Sequence, residues 1–160
     1  MPNQPKIQDN FTTRTVSQQW LNAIADKRPY IFKGSTTDAT ETELFVDGVS
    51  GQRIGVAQDS SAFVVAMFSA HNSTDAAENC GGIISQLVYN ESGTTAALTQ
   101  DETALLNDGT PLASLDVEAD NTNDAIAIKV TGTAAKTIYY QVTVFVISAT
   151  SPEIVVAHET

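Results

Sequence analysis

From residue 30 onward, hydrophobic and polar residues alternate with the two-residue period of β-strands. The runs are short and lie between clusters of Gly, Asn, Asp, Ser and Pro that are typical of turns. Residues 62–68 are apolar on both faces, which predicts a central strand, and Asp47-Gly48 is typical of a hairpin turn. The pattern predicts an all-β protein, an antiparallel β-sandwich of jelly-roll or immunoglobulin-like type. The predicted strands are 30–33, 43–46, 53–56, 62–68, 82–89, 94–100, 102–106, 112–119, 125–130, 137–147 and 153–157.

The residues before this pattern predict a separate attachment arm. We expect an arm over residues 1–29 and a β-domain over residues 30–160. Pro2 and Pro5 disfavour a helix at the start of the arm, so this part is expected to be extended.

A short helix is predicted within the arm, over about residues 15–27. Thr15 and Gln18 have the spacing of an N-terminal capping box, and Pro29 restricts the residue before it, which ends the helix. A helix of about three turns is not stable alone, so its apolar stripe must pack on the chain's own core or on a neighbouring subunit. The stripe, at helical spacing, consists of Val16, Trp20, Leu21 and Ile24.

The charges are divided unevenly along the chain, close to the boundary between the arm and the β-domain. The first 33 residues carry five basic and two acidic residues, a net charge of +3, whereas the rest carry three basic and 17 acidic residues, a net charge of −14. A basic arm is attracted to an acidic partner surface. The acidic remainder repels phosphates, so no nucleic-acid partner is expected. No stretch approaches the roughly 18 apolar residues of a membrane span, so no membrane partner is expected either.

Few residues have the spacing of a catalytic or metal site. Cys80 is the only cysteine, which excludes an intrachain disulfide and favours a small half-buried filler. His71 and His158 have no second His or Cys at ligand spacing, and both are interpreted as surface residues. No nucleophile elbow, P-loop or dinucleotide fingerprint is present. We therefore expect no cofactor, no metal site and no enzymatic activity.

One acidic run, residues 116–124, leaves two interpretations. Alternate carboxylates on a strand point the same way and are suitable ligands for Ca²⁺. The other interpretation is a strand with a solvated acidic face that enters an Asn- and Asp-rich turn. The second is favoured because the run lacks the turn glycine and the bidentate glutamate of an EF-hand loop.

Three segments resemble a β-sandwich module of tailed-phage virion proteins, many of them from cyanophages. They are residues 36–48, 119–132 and 136–144, in the same order as in that module. The closing strand of the module usually has Trp where this chain has Tyr140. The resemblance spans residues 34–148 and leaves the N-terminal arm outside it.

The resemblance implies a non-enzymatic structural virion protein that forms a homotrimer. Our leading interpretation is a capsid decoration (cement) protein at the capsid surface, made in the host cytoplasm, which binds the major capsid protein and copies of itself through its arm. Binding only the assembled shell would stabilise that shell by mass action. The residues expected to make this contact are Arg14, Trp20, Leu21, Ile24, Lys27 and Arg28.

The alternative is a tail-fibre, tail-tip or head-fibre module that takes part in attachment to host glycans. In that case the arm anchors the chain to the virion and the loops recognise the host surface. A third interpretation, a secreted carbohydrate-binding or enzymatic domain, is disfavoured because the N-terminus lacks the apolar segment of a secretion signal.

Overall fold

In the computed structural model, the described residues are 29–75, 78–98, 101–107, 114–148 and 156–157, with the backbone alone described for 101–107 and 156–157. These residues form β-strands and turns, and no helix occurs among them. The strands are β1 (Tyr30–Thr36), β2 (Glu41–Val46), β3 (Arg53–Gly55), β4 (Ser60–Asn72), β5 (Asn79–Glu91), β6 (Thr94–Ala97), β7 (Asp101–Asn107), β8 (Ser114–Asp120), β9 (Ala125–Thr131), β10 (Ile138–Ser148) and β11 (Val156–Ala157).

All of these strands belong to one antiparallel sheet. Its order is β11-β3-β9-β2-β1-β10-β4-β5-β6, with β7 also paired to β5 and β8 also paired to β9. Strand β2 joins the two halves of the sheet. Its residues 41–44 pair with β9, whereas Phe45 and Val46 pair with β1.

The sheet curls into a half-barrel, which corrects the predicted sandwich. The all-β antiparallel class is confirmed, but β2 is hydrogen-bonded to both halves, so they are not two separate sheets. The curl brings β8 against β5 and β6. The predicted arm over residues 1–29 and its helix over 15–27 lie outside the described residues, apart from residue 29 at the start of the described chain.

Alternation along the long strands directs one face into a common core. In β4, the residues from Ala62 to Ala70 alternate between buried and more exposed positions, and the same occurs in β10 from Ile138 onward. Burial of these apolar side chains supplies most of the driving force for folding. The largest fully buried side chains are Phe32, Leu44, Ile54, Val64, Ile84, Val88, Ile126, Ile128, Val130, Ile138, Val142 and Val144.

The predicted turn at Asp47-Gly48 is confirmed. Asp47 has a φ of 54° and Gly48 a φ of 75°, the two positive values that a type I′ turn requires. Asp tolerates this left-handed conformation better than most residues, and Gly adopts it without steric cost.

Candidate functional site

The outer face of β1, β10, β4 and β5 is divided along the strands into a polar half and an apolar half. The strands lie side by side in that order, and residues opposite each other on neighbouring strands are in lateral contact. We call the exposed side chains at one end the polar patch: Lys33, Ser35, Ser69, His71, Tyr139 and Gln141. We call the side chains at the other end the apolar patch: Phe63, Val65, Met67, Ile83, Leu87, Phe145 and Ile147.

The polar patch is built around Tyr139, whose side chain is 55% exposed. On β10, Tyr139 lies opposite Ser35 of β1 and His71 of β4. Two residues further along β10, Gln141 lies opposite Lys33 and Ser69. These side chains surround a shallow, open depression of about 620 Å³. The patch therefore combines one aromatic ring with hydroxyl, amide, imidazole and ammonium groups.

Neighbouring residues hold the end of the polar patch in place. His71 Nδ1 donates a hydrogen bond to Asn79 Oδ1 at 2.8 Å, across the β4–β5 pair. The fully buried Asn72 donates through Nδ2 to Glu78 at 2.7 Å and accepts from the Thr74 backbone N–H at 2.9 Å. Because Asn72 pairs with Ile138, next to Tyr139, these bonds fix the backbone beneath the aromatic ring.

An ion pair ties the same end to the loop before β10. Lys136 Nζ donates to Glu78 Oε1 at 2.6 Å, and the Ser73 backbone N–H donates to the carbonyl of Thr137 at 2.9 Å. The hydrogen bond from Lys136, and next the one from Asn72, lower the pKa of Glu78 below its usual value of 4.5.

This pKa shift predicts a pH dependence of stability. A carboxyl whose folded pKa is lowered stabilises the protein above about pH 4.5, and that contribution is lost as the pH falls through the folded pKa. We expect the melting temperature of the Glu78→Gln variant to fall less between pH 5 and pH 3 than that of the unmodified protein, in scanning calorimetry at both pH values. The matched control is Glu91→Gln, at an exposed glutamate at the other end of β5, which should leave the pH dependence unchanged. Equal pH slopes for the unmodified protein and Glu78→Gln would contradict the assigned role of Glu78.

Strand β10 carries a buried phenol, that of Tyr140, on the face opposite the polar patch. Tyr140 points into the core, is 4% exposed, and its hydroxyl lies 3.4 Å from Thr36 Oγ1. Burial raises the pKa of Tyr140, and the hydrogen bond with Thr36 only partly opposes this effect. Tyr140 therefore stays a neutral hydrogen-bonding group, and it anchors β10 to β1 under the exposed Tyr139.

The acidic run at 116–124 forms a strand and a turn, as the favoured interpretation predicted, but Glu118 and Asp120 are paired with Lys129 and Arg53 and are not simply solvated. Asp120 Oδ1 accepts hydrogen bonds from the backbone N–H groups of Thr122 and Asn123 at 2.9 and 3.2 Å. Asp124 Oδ1 accepts from Thr95 Oγ1 at 2.8 Å. Among the residues that the structure describes, no group of three or more His, Cys, Asp or Glu side chains is placed to hold a metal ion.

Most carboxylates on β2 and β8 are held in ion pairs. Arg53 Nε lies 2.8 Å from Glu43 Oε1 and 3.4 Å from Asp120 Oδ2. Lys129 Nζ lies 2.9 Å from Glu41 and 2.7 Å from Glu118. Hydrogen bonds with Glu118 and then Glu41 raise the pKa of Lys129. Burial of Asp120 acts to raise its pKa, but hydrogen bonds with Asn123 and Thr122 and the charge of Arg53 together lower it.

The residues expected from the sequence to bind a partner lie outside the described residues. Arg14, Trp20, Leu21, Ile24, Lys27 and Arg28 all precede residue 29, so that expectation stays a prediction. Cys80 is buried, whereas the sequence predicted a half-buried position.

The sequence interpretation missed Tyr139 and Gln141 as site residues. The signal was their position on the solvent face of an alternating strand, beside an apolar continuation of the same face.

No family model matches the chain, and no curated protein matches it. The solved structures similar to it include two phage tailspike proteins. The tailspike protein of Acinetobacter baumannii phage AM24 has 11% identity and a TM-score of 0.36, over 70% of this chain and 26% of that one. The tailspike protein gp49 of Acinetobacter baumannii bacteriophage Fri1, described as a capsular polysaccharide depolymerase, has 17% identity and a TM-score of 0.34, over 82% of this chain and 21% of that one. Both are phage tailspike proteins. The chain spans about a quarter of their length or less.

The comparisons correct one expectation. The sequence predicted a protein that is not an enzyme, and that exclusion no longer holds, because one similar structure is described as a capsular polysaccharide depolymerase.

Within the described residues, no helix is long and apolar enough to cross a membrane.

Proposed function

We propose that this chain is a host-attachment module of a phage tail fibre or tailspike, and that its polar patch binds a polysaccharide of the host surface. The observation that carries the proposal is the exposed ring of Tyr139, flanked on neighbouring strands by side chains that form hydrogen bonds. The virion part of the proposal rests on the resemblance of residues 34–148 to phage virion modules.

The chemistry of the patch suits a sugar chain. An aromatic ring offers a flat apolar surface to the C–H face of a pyranose, and a phenol adds a hydroxyl at its edge. The amide of Gln141 and the hydroxyl of Ser69 both donate and accept, which matches sugar hydroxyls. Lys33 adds a positive charge, which favours polysaccharides that carry carboxylates.

The shape of the patch suits a polymer more than a small molecule. Small ligands are usually enclosed in a concave pocket that buries most of their surface. The depression here is open along β1, β10 and β4, so a chain of sugars can lie across the strands with several residues in contact. The strands themselves are held by the bonds of Asn72 and Tyr140, so little entropy is lost at the site on binding.

Replacing Tyr139 with alanine tests this proposal. We expect the affinity for a bound host polysaccharide to fall at least about tenfold, which corresponds to about 1.4 kcal/mol. The measurement is isothermal titration calorimetry with purified capsular polysaccharides, the ligand class printed for gp49 of phage Fri1. Tyr89→Ala is the matched control, since Tyr89 lies on the same outer face at the other end of β5. Equal affinity of the unmodified protein and Tyr139→Ala, or an equal loss in Tyr89→Ala, would contradict the assignment.

The capsid decoration interpretation and the homotrimer remain predictions, and the copy number per virion distinguishes the two locations. A decoration protein is expected in hundreds of copies, whereas a tail or fibre module is expected in a few to tens, in line with the number of attachment sites. Quantitative mass spectrometry of purified particles measures this number. A count in the hundreds would overturn the attachment proposal.

A further inference from the structure

The apolar patch is large for a face in contact with water. Five of the eight exposed large hydrophobic side chains in the described residues lie in it: Phe63, Met67, Ile83, Phe145 and Ile147. They are lateral neighbours, since Phe63 is opposite both Ile147 and Leu87, and Met67 is opposite Ile83. Scattered exposed hydrophobics need no explanation, but a contiguous patch marks a surface that another segment covers.

The patch contains no charged residue, whereas the other end of the same face carries Lys33. Two of its members are among the most exposed hydrophobic side chains described, Ile147 at 52% and Phe63 at 42%. An uncharged surface of this kind is complementary to an apolar stripe and not to a charged partner.

The N-terminal residues enter the sheet at the apolar end. Strand β1 begins at Tyr30, which is opposite Val144 of β10. The two strands are antiparallel, so the direction from β1 toward the N-terminus leads past Phe145 and Ile147. The chain before residue 29 therefore starts next to the patch.

The predicted helix is long enough to cross the patch. A helix over about 12 residues is about 18 Å long. The patch lies on three adjacent strands, β10, β4 and β5, which span about 10 Å between the outer two. A helix packed on one face of a sheet is also one of the common two-layer arrangements, in which each apolar stripe buries the other.

We propose that Val16, Trp20, Leu21 and Ile24 of the same chain cover the apolar patch. A second copy of the chain offers the same stripe, but the chain's own stripe is tethered within a few residues of the patch. Such a short tether gives an effective concentration in the millimolar range, well above that of a second molecule in dilute solution. In this arrangement Trp20 and its neighbours are not available to bind a capsid protein.

Trp20 is the only tryptophan, so its fluorescence reports directly on this contact in the full-length chain. We expect Trp20 emission at short wavelength and protected from acrylamide quenching. The variant Ile147→Asp places a charge in the patch and should shift the emission to longer wavelength and increase quenching severalfold. The control is Gln141→Asp, which makes a charge on the same face of the same strand but in the polar patch, and should change neither. Leu21→Asp, on the other side of the contact, should act like Ile147→Asp.

The other occupants of the patch give distinct outcomes. Protection of Trp20 that is lost on dilution, together with dissociation of an oligomer in sedimentation velocity, would overturn the proposal in favour of an interface between copies. Solvent-exposed Trp20 in the unmodified monomer would overturn it in favour of an external partner. An emission unchanged in both Ile147→Asp and Leu21→Asp, with each variant folded by circular dichroism, would overturn it as well. None of these results bears on polysaccharide binding at the polar patch.

Discussion

The variant Arg53→Ala is expected to lower the free energy of unfolding by about 3 kcal/mol, because it leaves two partly buried carboxylates without their cation. The side chain of Arg53 is 10% exposed, and those of its partners Glu43 and Asp120 are 23% and 17% exposed. Arg53 also lies over the ring of Phe45, with 5.1 Å from its Cζ to the ring centroid. Urea unfolding followed by circular dichroism measures the change, as a lower midpoint at an unchanged slope.

Two further variants separate charge from geometry at this site. Arg53 Nε and Nη2 bind the two carboxylate oxygens of Glu43 at 2.8 and 3.0 Å, and lysine cannot reproduce this paired contact. Arg53→Lys should therefore be less destabilising than Arg53→Ala but still measurable. The double variant Arg53→Ala with Glu43→Gln removes one stranded charge and should recover part of the loss. An Arg53→Ala protein as stable as the unmodified one would show that solvent screens these carboxylates.

The strands were well predicted because alternation is a local signal. Residues 62–68 were expected to form a central strand, and β4 does lie inside the sheet, between β10 and β5. The strand is longer than predicted, since it continues to Asn72. The apolar run stops at Phe68, but the alternation goes on through Ala70 and the fully buried Asn72, whose polar groups are satisfied by Glu78 and Thr74.

The half-barrel was not predicted because it depends on long-range pairing. Residues 41–46 have the same alternating pattern whether they belong to one sheet or to two. The structure shows that β2 changes partner within its length, from β9 to β1, and this exchange keeps the two halves in one sheet. Hydrophobic periodicity identifies which face of a strand is buried, but it contains no information on which strand lies next to it.

The candidate site was missed for a related reason. Lys33, His71 and Tyr139 are distant in sequence, and only the pairing of β10 with both β1 and β4 brings them into one row. Sequence reasoning instead placed the binding residues in the arm, where basic residues and an apolar stripe occur together.

The variant Gly132→Ala is expected to lower the free energy of unfolding by about 2 kcal/mol, because the added methyl group has no space. A Cβ at this position would overlap the hydroxyl of Thr36 and would lie 2.7 Å from the backbone oxygen of Asp38. The backbone cannot yield without moving the β1–β2 turn. Because Thr36 also bonds Tyr140, we expect the displacement to reach β10 and to weaken polysaccharide binding at Tyr139 together with stability.

Gly93→Ala separates this clash from the general effect of removing a glycine. Gly93 has nothing within 4 Å of an added Cβ, and its φ of 84° is the left-handed value that disfavours alanine. We expect it to cost about 1 kcal/mol through backbone strain alone and to leave polysaccharide binding unchanged. The comparison uses chemical denaturation and calorimetric titration on both variants. If Gly132→Ala lowers stability but not affinity, then the contact between Thr36 and Tyr140 does not position the ring of Tyr139. In that case the polar patch is held by the hydrogen bonds of Asn72 and Glu78 on the other side of β10.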